Sequence, residues 1–165
     1  MVEVYWDASA LVKRYASETG TLFANAVFAN VAPTRMMCLS IGTGEVISAF
    51  VRKRNAGLID QEVFAQALVE FRAEVIDSAE FKIVATTDNL IFASHPLIER
   101  YSLNATDATI LRSVLDAATA ARLSAHGLIL LTADDRLLRA ARQEGITAFN
   151  PEADAVARFT AALAG

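Results

Sequence analysis

Short apolar runs alternate with amphipathic segments along almost the whole chain, and this alternation restricts the fold more than any other feature. The run from Val2 to Trp6 is rich in β-branched and aromatic residues, which is typical of a strand. The run from Leu128 to Thr132 is almost continuously apolar, as expected for a strand buried on both faces. Helical patterns separate these runs. The sequence therefore predicts a three-layer α/β/α domain with a mainly parallel sheet.

The remaining elements follow the same alternation and predict a sheet of four to five strands. Further strands are expected at 36–39 and 81–84, with a possible fifth at 147–149. The predicted helices are 8–15, 21–30, 41–55, 60–78, 87–101, 106–124, 135–144 and 152–163.

Length and composition limit the number of domains and the kinds of protein that this chain can be. The chain has 165 residues, of which 54% are hydrophobic, enough for one well-filled core, so we expect a single domain over 1–165. No apolar stretch approaches the roughly 18 residues that a membrane span needs, and the first residues do not resemble a secretory signal. The single Cys38 cannot form an internal disulfide. We therefore expect a soluble, cytoplasmic protein with no membrane partner.

The net charge of −4 argues against nucleic-acid binding through bulk electrostatics, although it permits a local basic rim. Such a rim would come from basic residues that follow the acidic ones along the chain: Lys13, Arg14, Arg52, Lys53, Arg54, Arg136, Arg139 and Arg142. The ordinary interpretation is that these side chains are solvated helix faces.

Four acidic residues stand at wide intervals, each in an otherwise apolar setting: Asp7, Glu45, Asp107 and Asp134. Asp7 and Asp134 come where a predicted strand passes into a helix, which in parallel α/β sheets is the edge where ligands bind. Several carboxylates in one cleft repel one another, and a bound divalent cation removes that repulsion. The acids therefore predict a site for a hard divalent metal.

Helix capping is the alternative explanation for three of these acids, because a negative charge in the first turn also favours a helix. The candidate caps are Thr132 for the helix of Asp134, Asn104 for that of Asp107, and Ser40 or Thr43 for that of Glu45. Asp7 differs, since it ends a strand at the buried edge of the sheet beside Trp6. We therefore expect a cation near Asp7.

Four segments around these acids occur in a characteristic order: Tyr5 to Lys13, Ser40 to Val46, Tyr101 to Ala108 and Leu131 to Leu137. Together they resemble the motifs of the PIN-domain ribonucleases, in particular the VapC-type toxins of bacterial VapBC toxin–antitoxin pairs. The resemblance covers nearly the whole chain and implies a PIN-like domain. It also implies a cognate antitoxin protein and a homodimer.

The resemblance further implies an Mg²⁺- or Mn²⁺-dependent endoribonuclease that hydrolyses RNA phosphodiester bonds, with tRNA or rRNA as substrate. In-line attack by water would leave 5′-phosphate and 3′-hydroxyl ends. Asp7, Asp107 and Asp134 would hold the metal, and Glu45 would bind a second ion or position the water.

Three neighbouring residues would support these carboxylates. Ser9 and Thr132 are close enough in sequence to hydrogen-bond to them, although a hydroxyl at a helix start is more often a plain cap. Asp135 offers a second acid beside Asp134. It would assist through water or only favour the start of its helix.

A protein-binding module is the alternative function, in which a PIN-like domain keeps its acids but acts mainly as the partner of an antitoxin or a larger complex. This interpretation depends on an apolar surplus among Trp6, Phe23, Phe28, Phe64 and Phe71. Ordinary core filling is the competing explanation for the same aromatic residues.

Overall fold

The computed structural model describes residues 1–164 and contains one sheet of five strands. The strands are β1 Val2–Trp6, β2 Met36–Leu39, β3 Lys82–Val84, β4 Gly127–Leu131 and β5 Thr147–Phe149. They lie in the order β3-β2-β1-β4-β5, and every neighbouring pair is parallel. The prediction of four to five mainly parallel strands is confirmed, with five.

Eight helices flank the sheet within the described residues: α1 Ala8–Leu11, α2 Thr21–Asn30, α3 Ser40–Asn55, α4 Gln61–Phe71, α5 Asp88–Tyr101, α6 Ala105–Leu123, α7 Asp135–Gln143 and α8 Val156–Ala164. Short 3₁₀ turns at Val12–Arg14 and Pro33–Arg35 and a π turn at Arg72–Ile76 complete the elements.

The side chains of β1 divide the core into two apolar clusters, because alternate residues of a strand point to opposite faces. Val4 and Trp6 pack with α1 to α4 and α8, whereas Tyr5 packs with α5, α6 and α7. Helices therefore cover both faces of the sheet. The predicted three-layer α/β/α architecture is confirmed.

The last predicted helix, 152–163, was wrong at its beginning, since α8 starts at Val156. The intervening residues form a turn held by two side chains. The amide of Asn150 donates to Asp154 Oδ2 at 2.8 Å, and that of Glu152 donates to Asn150 Oδ1 at 2.8 Å. Asn and Asp side chains of this kind compete with helical hydrogen bonds and favour turns.

The aromatic residues suspected of forming an apolar surplus belong to the core instead. Trp6, Phe23, Phe64 and Phe71 are buried, and Phe28 is partly buried against Trp6 at a centroid distance of 5.2 Å. Core filling is therefore the correct explanation for them. Within residues 1–164 no helix combines the length and apolar character needed to cross a bilayer.

The strand order reverses at β1, which is followed along the chain by β2 on one side and is bordered by β4 on the other. The amide of Asp7 donates to the carbonyl of Leu131 at 2.9 Å and so continues the contact between β1 and β4 beyond the strand ends. In parallel sheets a crevice opens at such a reversal, outside the carboxyl ends of the strands.

Candidate functional site

A cleft of about 170 Å³ opens at this reversal point. Its lining residues are Asp7, Ala8, Ser9, Val12, Glu45, Ala49, Arg52, Asp107 and Asp134. Asp7 follows β1, Glu45 lies in the second turn of α3, Asp107 lies in the first turn of α6, and Asp134 precedes α7. The fold thus brings together all four acids that are widely separated in sequence.

Asp7 is only 5% exposed, and its contacts are with uncharged groups. Its Oδ2 accepts hydrogen bonds from the hydroxyl of Thr132 at 2.9 Å, from the amide of Ser9 at 3.2 Å and from the Ser9 hydroxyl. Across residues 1–164, no ion pair includes Asp7. A basic side chain of residues 1–164 therefore does not supply the positive charge expected beside Asp7, and Asp7 also caps α1.

The pKa of Asp7 is raised because burial disfavours its charged form, and the hydrogen bonds from Ser9 and Thr132 oppose that rise. These hydroxyl dipoles stabilise the charged form of Asp7 only in part, because they carry no net positive charge. The negative charge of the buried Asp7 carboxylate is therefore not neutralised by these hydrogen bonds.

Ser9 and Thr132 also connect Asp7 to the segment that carries Asp134. The Ser9 hydroxyl accepts from the amide of Ala133 at 2.8 Å, and the Thr132 hydroxyl accepts from the amide of Asp134 at 3.1 Å. Each hydroxyl thus donates to Asp7 and accepts from the chain after β4. The pair fixes the orientation of one carboxylate relative to the other.

Glu45 reaches the cleft from α3, whose side chains at one face also include Ala49 and Arg52. Neither suggested cap is present at this helix start. Leu39 occupies the cap position without a side-chain bond, and the Thr43 hydroxyl donates to the Ser40 carbonyl at 2.7 Å. Burial and the charge of Asp7 raise the pKa of Glu45, and the charge of Arg52 opposes that rise.

Asp107 is held at the start of α6 by Asn104, as the sequence predicted. The amide of Asp107 donates to Asn104 Oδ1 at 2.8 Å, and Asn104 Nδ2 donates to Asp107 Oδ2 at 2.7 Å. Burial and then the charges of Asp134, Asp7 and Glu45 raise the pKa of Asp107 to about 7. The four carboxylates are therefore close enough to repel one another.

Asp134 is itself the cap of α7, so the suggested capping by Thr132 was wrong. Its Oδ1 accepts from the amides of Arg136 at 2.8 Å and Leu137 at 2.9 Å. Capping and a place in the cleft are thus combined in one residue. Asp135 is exposed in the first turn of α7 and is not among the residues that line the cleft.

Half of the suspected basic rim is paired with acidic side chains outside the cleft. Lys13 is buried and contacts Glu18 at 3.3 Å and also Glu152, and Lys53 contacts the same Glu18. Arg14 pairs with Glu74 at 2.8 Å. Arg52 is the basic residue that lines the cleft.

The donor chemistry of the cleft suits a hard cation, since the ionisable donors that line it are carboxylates. Within the described range, 1–164, no three His, Cys, Asp or Glu residues form a ready-made ligand set. Mg²⁺ does not require such a set, because it usually keeps several waters and takes only one or two carboxylates. The residues present therefore fit the metal that the resemblance implies.

Solved structures with the same fold are found among proteins of low sequence identity. PAE2754 from Pyrobaculum aerophilum is 20% identical, with 97% of this chain and 96% of that chain covered and a TM-score of 0.61. FitAcB from Neisseria gonorrhoeae is 14% identical, with 92% and 99% covered and a TM-score of 0.59.

A third similar structure is a toxin–antitoxin complex from Klebsiella pneumoniae, at 17% identity and a TM-score of 0.50, with 80% of this chain and 87% of that chain covered. No family profile and no curated sequence matches this chain. The comparisons therefore establish a shared fold with these three proteins.

Proposed function

We propose that this protein is a metal-dependent endoribonuclease with a PIN-like domain, and that it is the VapC-type toxin of a type II toxin–antitoxin pair. One observation carries the proposal: four carboxylates from distant segments meet in a cleft in which buried Asp7 is paired with no cation of residues 1–164. Such an arrangement is electrostatically unfavourable by itself and is stabilised by a divalent cation.

Asp7, Asp107 and Asp134 are the proposed ligands for Mg²⁺ or Mn²⁺, and Glu45 is the proposed holder of a second ion or of the attacking water. When bound, such an ion polarises a phosphate oxygen and lowers the pKa of water. Ser9 and Thr132 act through Asp7, since their hydroxyls fix its orientation. Asp135 lies outside the lining of the cleft, so we assign it no role as a direct metal ligand.

The reaction is hydrolysis of an RNA phosphodiester. Water attacks the phosphorus atom, and the bond between phosphorus and the 3′ oxygen breaks in line with the attack. The products are a 5′-phosphate and a 3′-hydroxyl, whose proton comes from solvent. Glu45 lines the cleft together with the proposed metal ligands, so its carboxylate is placed to accept a proton from the attacking water.

The biological part of the proposal includes a cognate antitoxin, a homodimer and tRNA or rRNA as substrate. A toxin–antitoxin complex shares the fold, which supports an antitoxin partner. Large apolar side chains outside the cleft are available for protein contacts. Val69 of α4 is 63% exposed, and Phe92 of α5 is 66% exposed. These same side chains favour the second candidate, a protein-binding module without nuclease activity.

Cleavage of a total tRNA and rRNA pool tests the proposal. Purified, antitoxin-free protein is incubated with Mg²⁺, Mn²⁺ or EDTA, and Asp7→Asn and Asp107→Asn are compared with the wild type. Asp77→Asn is the matched control, because Asp77 is exposed at the end of the π turn. We expect discrete metal-dependent cuts from the wild type and from Asp77→Asn only. No cleavage by verified folded wild type would favour the binding module.

A further inference from the structure

Arg52 differs from the two basic residues that follow it in α3. Lys53 pairs with Glu18, and the guanidinium of Arg54 lies over the Phe64 ring at 4.4 Å from its centroid. Arg52 is exposed, lines the cleft and takes part in no ion pair of residues 1–164. Its charge acts on Glu45 within the cleft. Its guanidinium therefore remains available to a ligand.

Arg136 lies in the first turn of α7, two residues after Asp134. It is exposed, and the ion pairs of the described residues do not include it. Its backbone amide donates to Asp134 Oδ1 at 2.8 Å, which places the residue beside one of the four acids. Arg136 thus lies near the acids while its own side chain remains unpaired.

The two arginines approach the acids from opposite layers of the fold. Arg52 belongs to α3, whose buried Val46 packs in one apolar cluster, and Arg136 belongs to α7, whose buried Leu137 packs in the other. Asp7 and Asp134, which follow β1 and β4 at the sheet edge, lie between these layers. A strand of nucleic acid that bridges the two arginines would cross the sheet edge that carries Asp7 and Asp134.

We propose that Arg52 and Arg136 bind phosphates on either side of the bond to be cut, so that one RNA strand crosses the cleft from α3 to α7. This proposal rests on the proposed nuclease function. A chain with a net charge of −4 and a carboxylate-lined cleft repels RNA unless local cations attract it. Guanidinium groups suit that role, because their planar donors match phosphate oxygens.

Simple charge compensation is the competing explanation, in which the arginines only reduce repulsion among the acids. The two explanations differ in their dependence on salt. Each phosphate contact that is lost lowers the salt slope of single-strand binding by about 0.7. Charge compensation instead predicts a change in the Mg²⁺ concentration needed for activity, with an unchanged salt slope for RNA binding.

RNA binding is measured in the Asp7→Asn background with Mg²⁺ present, so that the strand is held and not cut. The probe is an RNA oligonucleotide that contains the wild-type cleavage site. Arg52→Ala, Arg136→Ala and the double variant are compared with Arg122→Ala. Arg122 is the matched control, because it is an exposed arginine near the first residues of β4, at the opposite edge of the sheet.

We expect each cleft variant to lower the salt slope by about 0.7 and the double variant by about 1.4, whereas Arg122→Ala leaves it unchanged. In otherwise wild-type protein we expect Arg52→Ala and Arg136→Ala to raise KM by about tenfold, more than they lower kcat. Arg52→Lys should retain the salt slope but not the full affinity, because an ammonium group cannot form the paired contact.

Equal salt slopes for the cleft variants and Arg122→Ala would overturn the proposal while leaving the nuclease assignment intact, provided that the wild type cuts RNA. A shifted Mg²⁺ requirement with an unchanged slope would also overturn it in favour of charge compensation. Absence of cleavage by wild type would instead overturn the nuclease function, so the two failures are distinguishable.

Discussion

Thr132 donates a hydrogen bond to Asp7 Oδ2 at 2.9 Å although the two residues are 125 positions apart. The contact joins the segments that follow β4 and β1, which are neighbours in the sheet. Thr132 also accepts from the amide of Asp134, so one hydroxyl orients two proposed metal ligands. Partners of this kind typically change metal affinity or activity by about 10–100-fold when removed.

We predict that Thr132→Val lowers the apparent Mg²⁺ affinity and cleavage rate by about 10–100-fold. Valine preserves the shape but removes the donor to the Asp7 carboxylate, which should also lower the free energy of unfolding by about 1.5–3 kcal/mol. Urea unfolding and cleavage at varied Mg²⁺ measure both effects. Thr119→Val is the control, since its exposed hydroxyl bonds only to its own helix at 2.9 Å. Similar results for both variants would contradict the prediction.

Asp7→Asn should stabilise the metal-free protein while abolishing its response to metal. Burial raises the pKa of Asp7, so a neutral amide at this position avoids the cost of an unpaired buried charge. We expect the free energy of unfolding in EDTA to rise by about 1–3 kcal/mol. The Mg²⁺-dependent increase in Tm should disappear, since ligands stabilise only the state that binds them. A normal Mg²⁺ shift in this variant would exclude Asp7 as a ligand.

The stability of the metal-free protein should fall as pH rises from about 4 to about 7. Burial and then the charges of Asp134, Asp7 and Glu45 raise the folded-state pKa of Asp107 to about 7. An unfolded Asp has a pKa of about 3.9, so the folded state binds the extra proton in this window and loses stability as that proton leaves.

Urea unfolding in EDTA across this pH range measures the free energy of unfolding. Its dependence on pH should be weaker in Asp107→Asn than in the wild type. With saturating Mg²⁺ the trend should reverse, because metal binding requires deprotonated carboxylates. Parallel curves for the wild type and Asp107→Asn in EDTA would contradict this expectation.

Replacement of Gly20 and of Gly44 by alanine should change the free energy of unfolding in opposite directions. Gly20 has φ +94°, and an added Cβ would lie 2.8 Å from Lys13 Cδ and 3.1 Å from the backbone of Pro151. We expect Gly20→Ala to lower the free energy of unfolding by about 1–3 kcal/mol. Gly44 lies inside α3 with no atom within 4 Å of an added Cβ, so Gly44→Ala should raise it by about 0.5–1 kcal/mol. Thermal or urea unfolding checks both signs.

Local patterns were sufficient to predict the elements and the edge at which the acids meet. Val2–Trp6, Thr21–Asn30 and Met36–Leu39 have the predicted bounds, because hydrophobic periodicity is a local property. The convergence of Asp7 and Asp134 also followed from the sequence, since parallel strands end at a common edge. The role of these acids in metal binding and catalysis remains a prediction for the experiments above.

Local patterns were not sufficient where a side chain from another segment decided the outcome. The start of α8 was misplaced because Asn150 and Asp154 form a turn that competes with helix formation. Ser9 and Thr132 were predicted to hydrogen-bond to the carboxylates, but that both hydroxyls converge on Asp7 depends on how β1 and β4 pack.

The sequence by itself determined the succession of strands and helices along the chain and the meeting of Asp7 and Asp134 at one edge of the sheet, because both depend on residue types and spacing along the chain. Only the tertiary structure decided that Asp7 is held by Ser9 and Thr132, and that Arg52 faces the acids while Lys53 pairs with Glu18. The physical reason is that burial, repulsion between charges and hydrogen bonding depend on distance in space, which neighbouring residues alone do not fix.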